Sequence, residues 1–295
     1  MTYLVVGATG LVGSEAVRIL AEQGRPVRAL VRTTSDPDKV GRLKNAGASI
    51  VTGDLKDRAS IDEACRGASV VVSTASSTLS RQAGDSIETV DHRGQLDLVD
   101  AAARAGVERF VFVSFSSVGL EFPLQSAKRA VEERLRRSGM TYTSLHPMAF
   151  MEVWLSPALG FDPAAGAARI FGSGENKISW ISFQDVARFA ALAVDASAAA
   201  NAVIKLGGPE ALSPLEVVRL AEQVTGKRFV VEHVSEEALR AQYAAADDPM
   251  QKSFAALMLY VAGGDVVDMD RTLRDFGVQR LKSVREYLAS VPSAV

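Results

Sequence analysis

Cysteine, histidine and long apolar runs are scarce in this sequence, and each scarcity excludes a class of site or protein. Cys65 is the single cysteine, which excludes an intramolecular disulfide and a metal site built from several thiolates. The three histidines include no pair at metal-ligand spacing, so we expect no metal centre. No uninterrupted apolar segment approaches the roughly 18 residues of a membrane-spanning helix. We therefore expect no membrane insertion.

Strong charge of one sign is lacking as well. The formal net charge is -2 and no long basic run is present, so the sequence offers little attraction for nucleic acid. Its first residues lead directly into a strand-like segment, without a charged leader and an apolar signal core. From these absences we expect an unprocessed cytoplasmic protein, a monomer or homodimer, whose partner is a small-molecule substrate.

What the sequence does contain is a regular alternation of short apolar runs and amphipathic segments over its first 150 residues. Strands are predicted at residues 3–6, 27–31, 49–52, 70–74, 110–114 and 142–145. Helices are predicted near residues 11–23, 37–46, 60–66, 86–105 and 124–138, and the capping-box spacing of Ser60 and Glu63 predicts a helix start at Ser60. The alternation is typical of an α/β Rossmann fold, a doubly wound parallel sheet covered by helices on both faces.

The alternation stops after Pro147. Residues 156–176 are rich in glycine, alanine and proline and are predicted to form loops. A helix is predicted after Ser182, a further sheet strand at residues 203–206, a helix at 213–225 and a strand at 229–234. We therefore predict a nucleotide-binding domain at residues 1–150 and a smaller α+β substrate lobe at residues 151–295.

The segment VVGATGLVG places three glycines directly after the first strand and at the start of the first helix. Glycine is needed where the chain turns tightly, where backbone approaches a pyrophosphate and where the helix meets the sheet closely. The helix N-terminus adds free N–H donors for the phosphates. A tight turn without a ligand is the alternative. The residues predicted to bind the dinucleotide here are Gly7, Thr9, Gly10, Leu11, Val12 and Gly13.

The GxxGxxG spacing, with LVRTTSD, VTGDLKD, STASS, VSFSS and SFQDVARFA following in order, resembles the atypical and extended short-chain dehydrogenase/reductases. The closest likeness is to the NmrA-like group, which includes isoflavone-reductase-like enzymes. The resemblance implies contacts to adenine from Asp54 and Leu55, although a turn or helix-cap role suits Asp54 equally. It also implies that Thr74, Ala75 and Ser76 pass beside the ribose and pyrophosphate.

Arg32 decides which nicotinamide cofactor is predicted. Enzymes that use NAD usually place an acid about 20 residues past the glycines, whereas the 2′-phosphate of NADP requires positive charge. The second strand ends in Val31 and Arg32, with no acid before Asp36. The sequence therefore predicts NADP(H), with the Arg32 guanidinium on the 2′-phosphate. A plain surface arginine is the alternative, and the nearness of Asp36 leaves it open.

The resemblance implies a catalytic serine after the fifth strand and a Tyr-x-x-x-Lys pair on the next helix. Lys128 matches the lysine, but Leu124 stands at the tyrosine position, so the usual proton donor is absent. Lys128 is expected to hold the cofactor and act in catalysis; an exposed ion pair with Glu132 four residues later is the alternative. Ser116 is the predicted catalytic serine.

Four further residues around the fifth and sixth strands are site candidates. Ser114 and Ser117 could orient the nicotinamide amide or a substrate oxygen, or simply cap a strand end. His146 ends the sixth strand and exchanges protons near neutral pH, so it is a catalytic candidate; a hydrogen-bonded structural histidine is the alternative. Ser114 and Pro147 are counted among the cofactor-binding residues.

Apolar residues near the sheet's carboxyl edge suggest a pocket, although several of them must instead pack the core of the second lobe. The predicted substrate-binding residues are Phe115, Met148, Phe150, Trp154 and Trp180. The predicted function is NADPH-dependent reduction of a small, largely apolar carbonyl, quinone or conjugated substrate by hydride transfer. The alternative is a non-catalytic NADP(H)-sensing regulator of NmrA type that binds a protein partner, and an isomerase or epimerase is a third possibility.

Overall fold

The structure is a computed structural model that describes residues 1–80 and 82–291. Within these ranges the strands are β1 (Tyr3–Val6), β2 (Val27–Val31), β3 (Ser49–Thr52), β4 (Val70–Ser73), β5 (Arg109–Val113), β6 (Thr141–Pro147), β7 (Phe161–Asp162), β8 (Ala167–Phe171), β9 (Ala202–Leu206) and β10 (Val230–Val234). One sheet has the order β3-β2-β1-β4-β5-β6-β9, and a second has the order β10-β8-β7. Neighbouring strands from β3 to β6 pair in parallel. The predicted α/β Rossmann fold is confirmed.

Helices follow most strands of the larger sheet. They are α1 (Leu11–Glu22), α2 (Pro37–Asn45), α3 (Arg58–Cys65), α4 (Gln95–Arg104), α5 (Pro123–Arg136), α6 (Met151–Trp154), α7 (Phe183–Ala193), α8 (Pro214–Thr225), α9 (Glu236–Ala245), α10 (Pro249–Gly263), α11 (Asp270–Phe276) and α12 (Val284–Ser290). A π-helical segment, Ile87–Gly94, leads directly into α4. The predicted helix over residues 86–105 therefore forms, but its first part is wound more widely than an α-helix.

The central strands are apolar because both faces of the sheet are covered. Every residue of β1 and β4 is buried, as expected for parallel strands packed between helices. In α1, Val12, Ala16 and Leu20 recur at intervals of four residues and form its buried face. Apolar burial stabilises such packing by roughly 25 cal/mol per Å². The amphipathic periodicity of the sequence thus positions the helix that follows the glycine turn.

The larger sheet reverses its direction of growth between β1 and β4. From β1 the chain moves outward to β2 and β3, and from β4 it moves to the other side through β5 and β6. Open α/β sheets bind ligands outside the carboxyl ends of the strands at such a switch point. The residues that follow β1 and β4 are Gly7 and Thr74. The fold therefore brings the glycine turn to the expected ligand position.

The predicted start of α3 at Ser60 is wrong by about half a turn. The helix begins at Arg58, and the Asp57 side chain caps it by accepting a hydrogen bond from the Ala59 N–H. The Ser60 hydroxyl instead accepts from the Asp54 N–H, at 3.0 Å, and donates to the Asp57 carbonyl, at 2.8 Å. Two capping sequences overlap here, and the earlier one forms the cap because an aspartate is also a strong N-cap residue.

The chain divides into two compact units. The first contains Met1–Phe115, Pro123–His146 and Val186–Ile204. The second contains Ser116–Phe122, Pro147–Asp185 and the chain from Lys205 onward. Across residues 1–80 and 82–291, no helix is long and apolar enough to cross a membrane.

The loop predicted over residues 156–176 is wrong, because the second unit contains β7 and β8 there. Ala168 and Ile170 point into the core of this unit, while Arg169 between them is exposed. β8 pairs in parallel with β10 and antiparallel with β7. Alanine and arginine carry little intrinsic β preference, so this strand owes its form to pairing with a segment about 60 residues away rather than to local propensity.

Candidate functional site

Two glycines of the turn between β1 and α1 are required by the fold itself. Gly7 has φ +82°, and a Cβ atom there would lie 2.7 Å from the Ala75 backbone nitrogen. A Cβ atom at Gly13 would lie 2.1 Å from the Gly7 carbonyl oxygen. Gly7 lets the chain turn in the left-handed region, and the lack of a side chain at Gly7 and Gly13 lets the end of β4 and the start of α1 pack closely against the turn.

Gly10 is different because the fold does not explain it. Its φ of -82° and ψ of 173° are ordinary for any residue. A Cβ atom there would meet one neighbour within 4 Å, the Gly7 carbonyl oxygen at 3.2 Å. No side chain caps the first turn of α1, and Gly10 and Leu11 are exposed. The bare helix start and the open side of Gly10 therefore fit a phosphate group that approaches the backbone.

The remaining residues predicted for this turn divide by burial. Thr9 is half-buried, whereas Val12 is buried in the core beneath α1. Thr74 donates its hydroxyl hydrogen to the Val6 carbonyl at 3.2 Å, which holds the end of β4 beside the end of β1. Ser76 is linked to the Thr78 hydroxyl at 3.2 Å. The structure thus brings Thr74 and Ala75 to the glycine turn, and their contact with the ribose and pyrophosphate stays a prediction.

Arg32 takes part in a small cluster of charges at the ends of β2 and β3. Its Nη1 lies 2.6 Å from Asp85 Oδ2, and Lys56 Nζ contacts the other carboxylate oxygen of Asp85. Burial acts to raise the pKa of Asp85, but hydrogen bonds from Lys56, Ser80 and Arg32 lower it to about 2. Asp85 is therefore ionised at neutral pH and forms ion pairs with both Arg32 and Lys56. Lys56 and Asp85 were missed in the sequence analysis; the only signal for Lys56 was its place in the GDLKD segment.

The acids near Arg32 and β3 have local structural roles. Asp36, which left the cofactor prediction open, is the N-cap of α2 and accepts from the Asp38 N–H at 2.8 Å. Asp54 accepts from the Lys56 N–H at 2.9 Å, as a turn residue does. Leu55 is buried in the hydrophobic core of the first unit. Asp36 is thus engaged in capping through one carboxylate oxygen, Oδ1, and its part in the choice of cofactor stays a prediction.

Lys128 is a buried cation and does not form the surface ion pair with Glu132. Its side chain is 5% exposed, and its Nζ lies 3.5 Å from Asp91 Oδ1 and 3.4 Å from the Val113 carbonyl oxygen. Burial lowers the pKa of Lys128, although Asp91 acts against this shift. Because Val113 ends β5, the ammonium group lies at the carboxyl edge of the sheet. The cofactor-facing role that the resemblance implied for Lys128 stays a prediction.

Asp91 was not singled out from the sequence. It lies on the π-helical segment, is fully buried, and accepts hydrogen bonds from the Ser77 N–H at 2.9 Å and the Ser77 hydroxyl at 2.5 Å. Its other oxygen faces Lys128. Local widening of a helix often accompanies a functional site. Here it carries the carboxylate that balances a buried lysine.

A second buried group of charges follows Lys128 on α5. Glu132 Oε1 lies 2.7 Å from His146 Nε2, and Glu132 Oε2 lies 3.1 Å from Arg129 Nη1. Arg129 also donates to the Ser114 hydroxyl at 3.1 Å and to the Phe115 carbonyl, and its guanidinium lies over the Phe115 ring. His146 thus has the acidic partner that the sequence could not assign.

Ser116 and Pro147 belong to the second unit, and Pro147 is the last residue of β6. The Ser116 hydroxyl is buried and finds no hydrogen-bond partner in the described part of the chain. An enclosed hydroxyl without a partner is uncommon in folded proteins and is consistent with a group kept for a ligand.

The apolar residues predicted for a substrate pocket differ in exposure. Trp180 is 2% exposed, lies in the hydrophobic core of the second unit and donates its Nε1–H to the Leu212 carbonyl at 2.9 Å. It therefore fits the alternative reading as a core residue. Met148 is buried against Tyr260, whose hydroxyl lies 3.3 Å from its sulfur. Phe150 and Trp154 are half-buried, and Trp154 packs edge-on against Phe171.

Comparison with known sequences gives a consistent family. The NmrA-like family model matches residues 1–288. An isoflavone reductase homolog from Zea mays is 35% identical, and the alignment covers 84% of this chain and 82% of the homolog. The photosystem II assembly factor Ycf39 of Synechocystis is 31% identical, covering 81% of this chain and 72% of itself. An NAD(P)H azoreductase of Xenophilus azovorans is 30% identical, and the alignment covers 86% of this chain and 84% of the azoreductase.

Solved structures share the fold over nearly the whole chain. AtPrR2 with NADP+ and (+)pinoresinol has a TM-score of 0.80 at 24% identity, covering 98% of this chain and 97% of that one. The Escherichia coli quinone oxidoreductase QOR2 complexed with NADPH has a TM-score of 0.77 at 21% identity, and the superposition covers 98% of this chain and 99% of QOR2. These matches and the glycine turn show that the chain belongs to the NmrA-like family of isoflavone-reductase-like, NAD(P)-binding atypical short-chain dehydrogenase/reductases.

Proposed function

We propose that this protein is an NADPH-dependent reductase that transfers a hydride to a small, largely apolar carbonyl, quinone or conjugated substrate. In this proposal residues 1–150 bind the cofactor and residues 151–295 form the substrate lobe. Phe115, Met148, Phe150 and Trp154 are the proposed substrate-binding residues. Bound NADPH would supply the hydride. The protein has to bind the cofactor and the substrate, orient them towards each other and complete the proton transfer.

The cofactor would be held by the glycine turn and the charge cluster at β2 and β3. Gly10 leaves space for the pyrophosphate at the uncapped start of α1. Arg32 is assigned to the 2′-phosphate, and Lys56 adds a second cation beside it. A phosphate with two negative charges would compete with Asp85 for both cations, which favours NADPH over NADH.

The burial of Lys128 is the observation that carries the proposal. A lysine loses much of its hydration free energy on burial, so it persists only where a charge or a ligand compensates it. Asp91 compensates it at a long distance of 3.5 Å, and its Nζ reaches the carboxyl end of β5. We assign the ammonium group to the nicotinamide ribose, as the family pattern implies. The reductases among the relatives support the same reading.

A regulator that senses NADP(H) and binds a protein partner is the second candidate. Two observations favour it. Leu124 is buried at the position where the family pattern has its catalytic tyrosine. The relative from Synechocystis is named as an assembly factor rather than as a reductase. Cofactor binding would be retained in this case, while substrate turnover would be absent.

The test is the oxidation of NADPH, followed by its absorbance, with a panel of quinones, enones, aldehydes and azo compounds. We expect turnover with at least one class, and we expect Lys128→Met to lower both NADPH affinity and turnover because it removes the buried charge with little change of volume. Lys39→Met on the exposed surface of α2 is the control and should change neither. Tight NADPH binding without turnover of any acceptor would reject the reductase and leave the sensor.

A further inference from the structure

One face of α5 carries the evidence for a replacement of the missing tyrosine. Leu124, Lys128 and Glu132 are spaced four residues apart and are each less than 5% exposed. Residues at this spacing share a helix face. Leu124, at the tyrosine position, is apolar, whereas Glu132, at the other end of this face, is a buried carboxylate.

Glu132 is held as an anion in spite of its burial. Burial acts to raise the pKa of Glu132, but hydrogen bonds from His146 and Ser114 and the charge of Arg129 lower it overall. An ionised carboxylate only accepts hydrogen bonds, so the His146 Nε2 atom at 2.7 Å carries a proton. Glu132 thereby fixes the tautomer of the ring.

His146 lies at the carboxyl edge of the sheet. The carbonyl of Leu145, the residue before it, accepts a hydrogen bond from the Ser114 N–H at 2.8 Å, which aligns the ends of β5 and β6. Within residues 1–80 and 82–291, Glu132 is the one hydrogen-bond partner of the imidazole, and it uses Nε2. The Nδ1 atom is therefore available to a group that enters from outside the chain.

Charged side chains surround the contact between Glu132 and His146. Arg129 and Lys128 face Glu132 from α5 itself, and Asp91 on the π-helical segment balances Lys128. Glu132 is thus the carboxylate that opposes the charge of an imidazolium at His146. A structural histidine would not require a buried, ionised partner, because a backbone carbonyl can fix the same tautomer.

Building on the reductase function proposed above, we propose that His146 donates the proton that completes reduction and that Glu132 is its positioning residue. The substrate carbon receives a hydride, with its electron pair, from the reduced nicotinamide, and the C=O π electrons move to oxygen. The Nδ1–H bond of the imidazolium breaks and an O–H bond forms, which leaves neutral imidazole. A proton from bulk solvent then returns to Nδ1, while Nε2–H keeps its hydrogen bond to Glu132.

A pair of acceptors separates this role from a structural one. A ketone or quinone needs a proton at oxygen, whereas a triarylmethyl cation such as crystal violet takes up hydride at carbon and needs none. We expect Glu132→Gln and His146→Asn to lower kcat for the ketone or quinone by about 10²-fold, within the range of general acid catalysis. Reduction of the cation and the KM for NADPH should stay unchanged.

The chain offers a matched control pair on its surface. Glu88 and His92 form an exposed carboxylate–imidazole contact at 2.8 Å, so Glu88→Gln and His92→Asn remove the same chemistry from the exposed side of the π-helical segment. We expect both control variants to reduce both acceptors at the wild-type rate. An equal loss for ketone and cation in Glu132→Gln or His146→Asn would show a structural role and overturn the proposal. Absence of NADPH oxidation by the wild type with either acceptor would instead overturn the reductase function itself.

A spectroscopic measurement tests the pair without turnover. With three histidines in the chain, the ring ¹⁵N shifts can be assigned by single substitutions. We expect neutral His146 to carry its proton on Nε2 in the wild type and to become a mixture of tautomers in Glu132→Gln. A neutral wild-type ring that carries its single proton on Nδ1 would contradict the proposal. If Glu132→Gln does not fold, the wild-type tautomer and the His146→Asn kinetics decide.

Discussion

At the scale of single residues, the sequence identified cationic positions better than their partners. Arg32 and Lys128 follow from the strand ends and the family pattern, and the structure places Lys128 at the carboxyl end of β5. Asp85 and Asp91 could not be assigned as the partners of these cations, nor Glu132 as the partner of His146, because these contacts depend on how distant segments pack. The pair of Arg32 and Asp85, for example, spans 53 positions of the sequence.

The assignment of Arg32 leads to a prediction of cofactor preference. Arg32→Ala should weaken NADPH binding by roughly 1.5 to 3 kcal/mol, the range for hydrogen bonds to charged groups, because the 2′-phosphate loses its fork of donors. NADH lacks this phosphate and should bind almost as before. Titration calorimetry with both cofactors measures the difference, and Arg42→Ala on the exposed side of α2 is the control. Equal wild-type affinity for NADH and NADPH would remove Arg32 from the site.

At the scale of elements, local pattern was sufficient where packing is also local. The strands β1 to β6 and helices α1 to α5 lie close to their predicted positions because apolar periodicity and turn residues agree with burial. The prediction failed at β8, where pairing with β10 decides, and at α3, where Asp57 rather than Ser60 forms the cap. The π-helical start of the segment before α4 has no signal in hydrophobic periodicity.

The glycine turn allows folding and binding to be separated within one element. Gly10→Val should still fold, since its backbone angles suit any residue, although its Cβ would lie 3.2 Å from the Gly7 carbonyl oxygen and cost some stability. It should lose dinucleotide binding because the side chain occupies the space for the pyrophosphate. Gly13→Val should instead unfold more easily, because its Cβ would lie 2.1 Å from the Gly7 carbonyl oxygen. Thermal unfolding and NADPH calorimetry on both variants make the comparison. Undiminished binding by Gly10→Val would move the cofactor elsewhere.

At the scale of the whole molecule, the fold class and the family followed from the sequence, whereas the chemistry of the site needed the structure. Strand order places the glycine turn at the switch point of the sheet, and the sequence could indicate this because βα units alternate regularly. The buried networks around Lys128 and Glu132 have no such regularity. They combine residues from α5, β6 and the π-helical segment.

The central claim is that hydride passes from the C4 carbon of NADPH to the substrate. It is tested most directly with NADPH deuterated at C4 in either configuration, an enone or triarylmethyl acceptor that retains the label on carbon, and mass spectrometry of the product. The account predicts one deuterium in the product from one of the two labelled cofactors and none from the other. Product that forms without deuterium from both cofactors would contradict it.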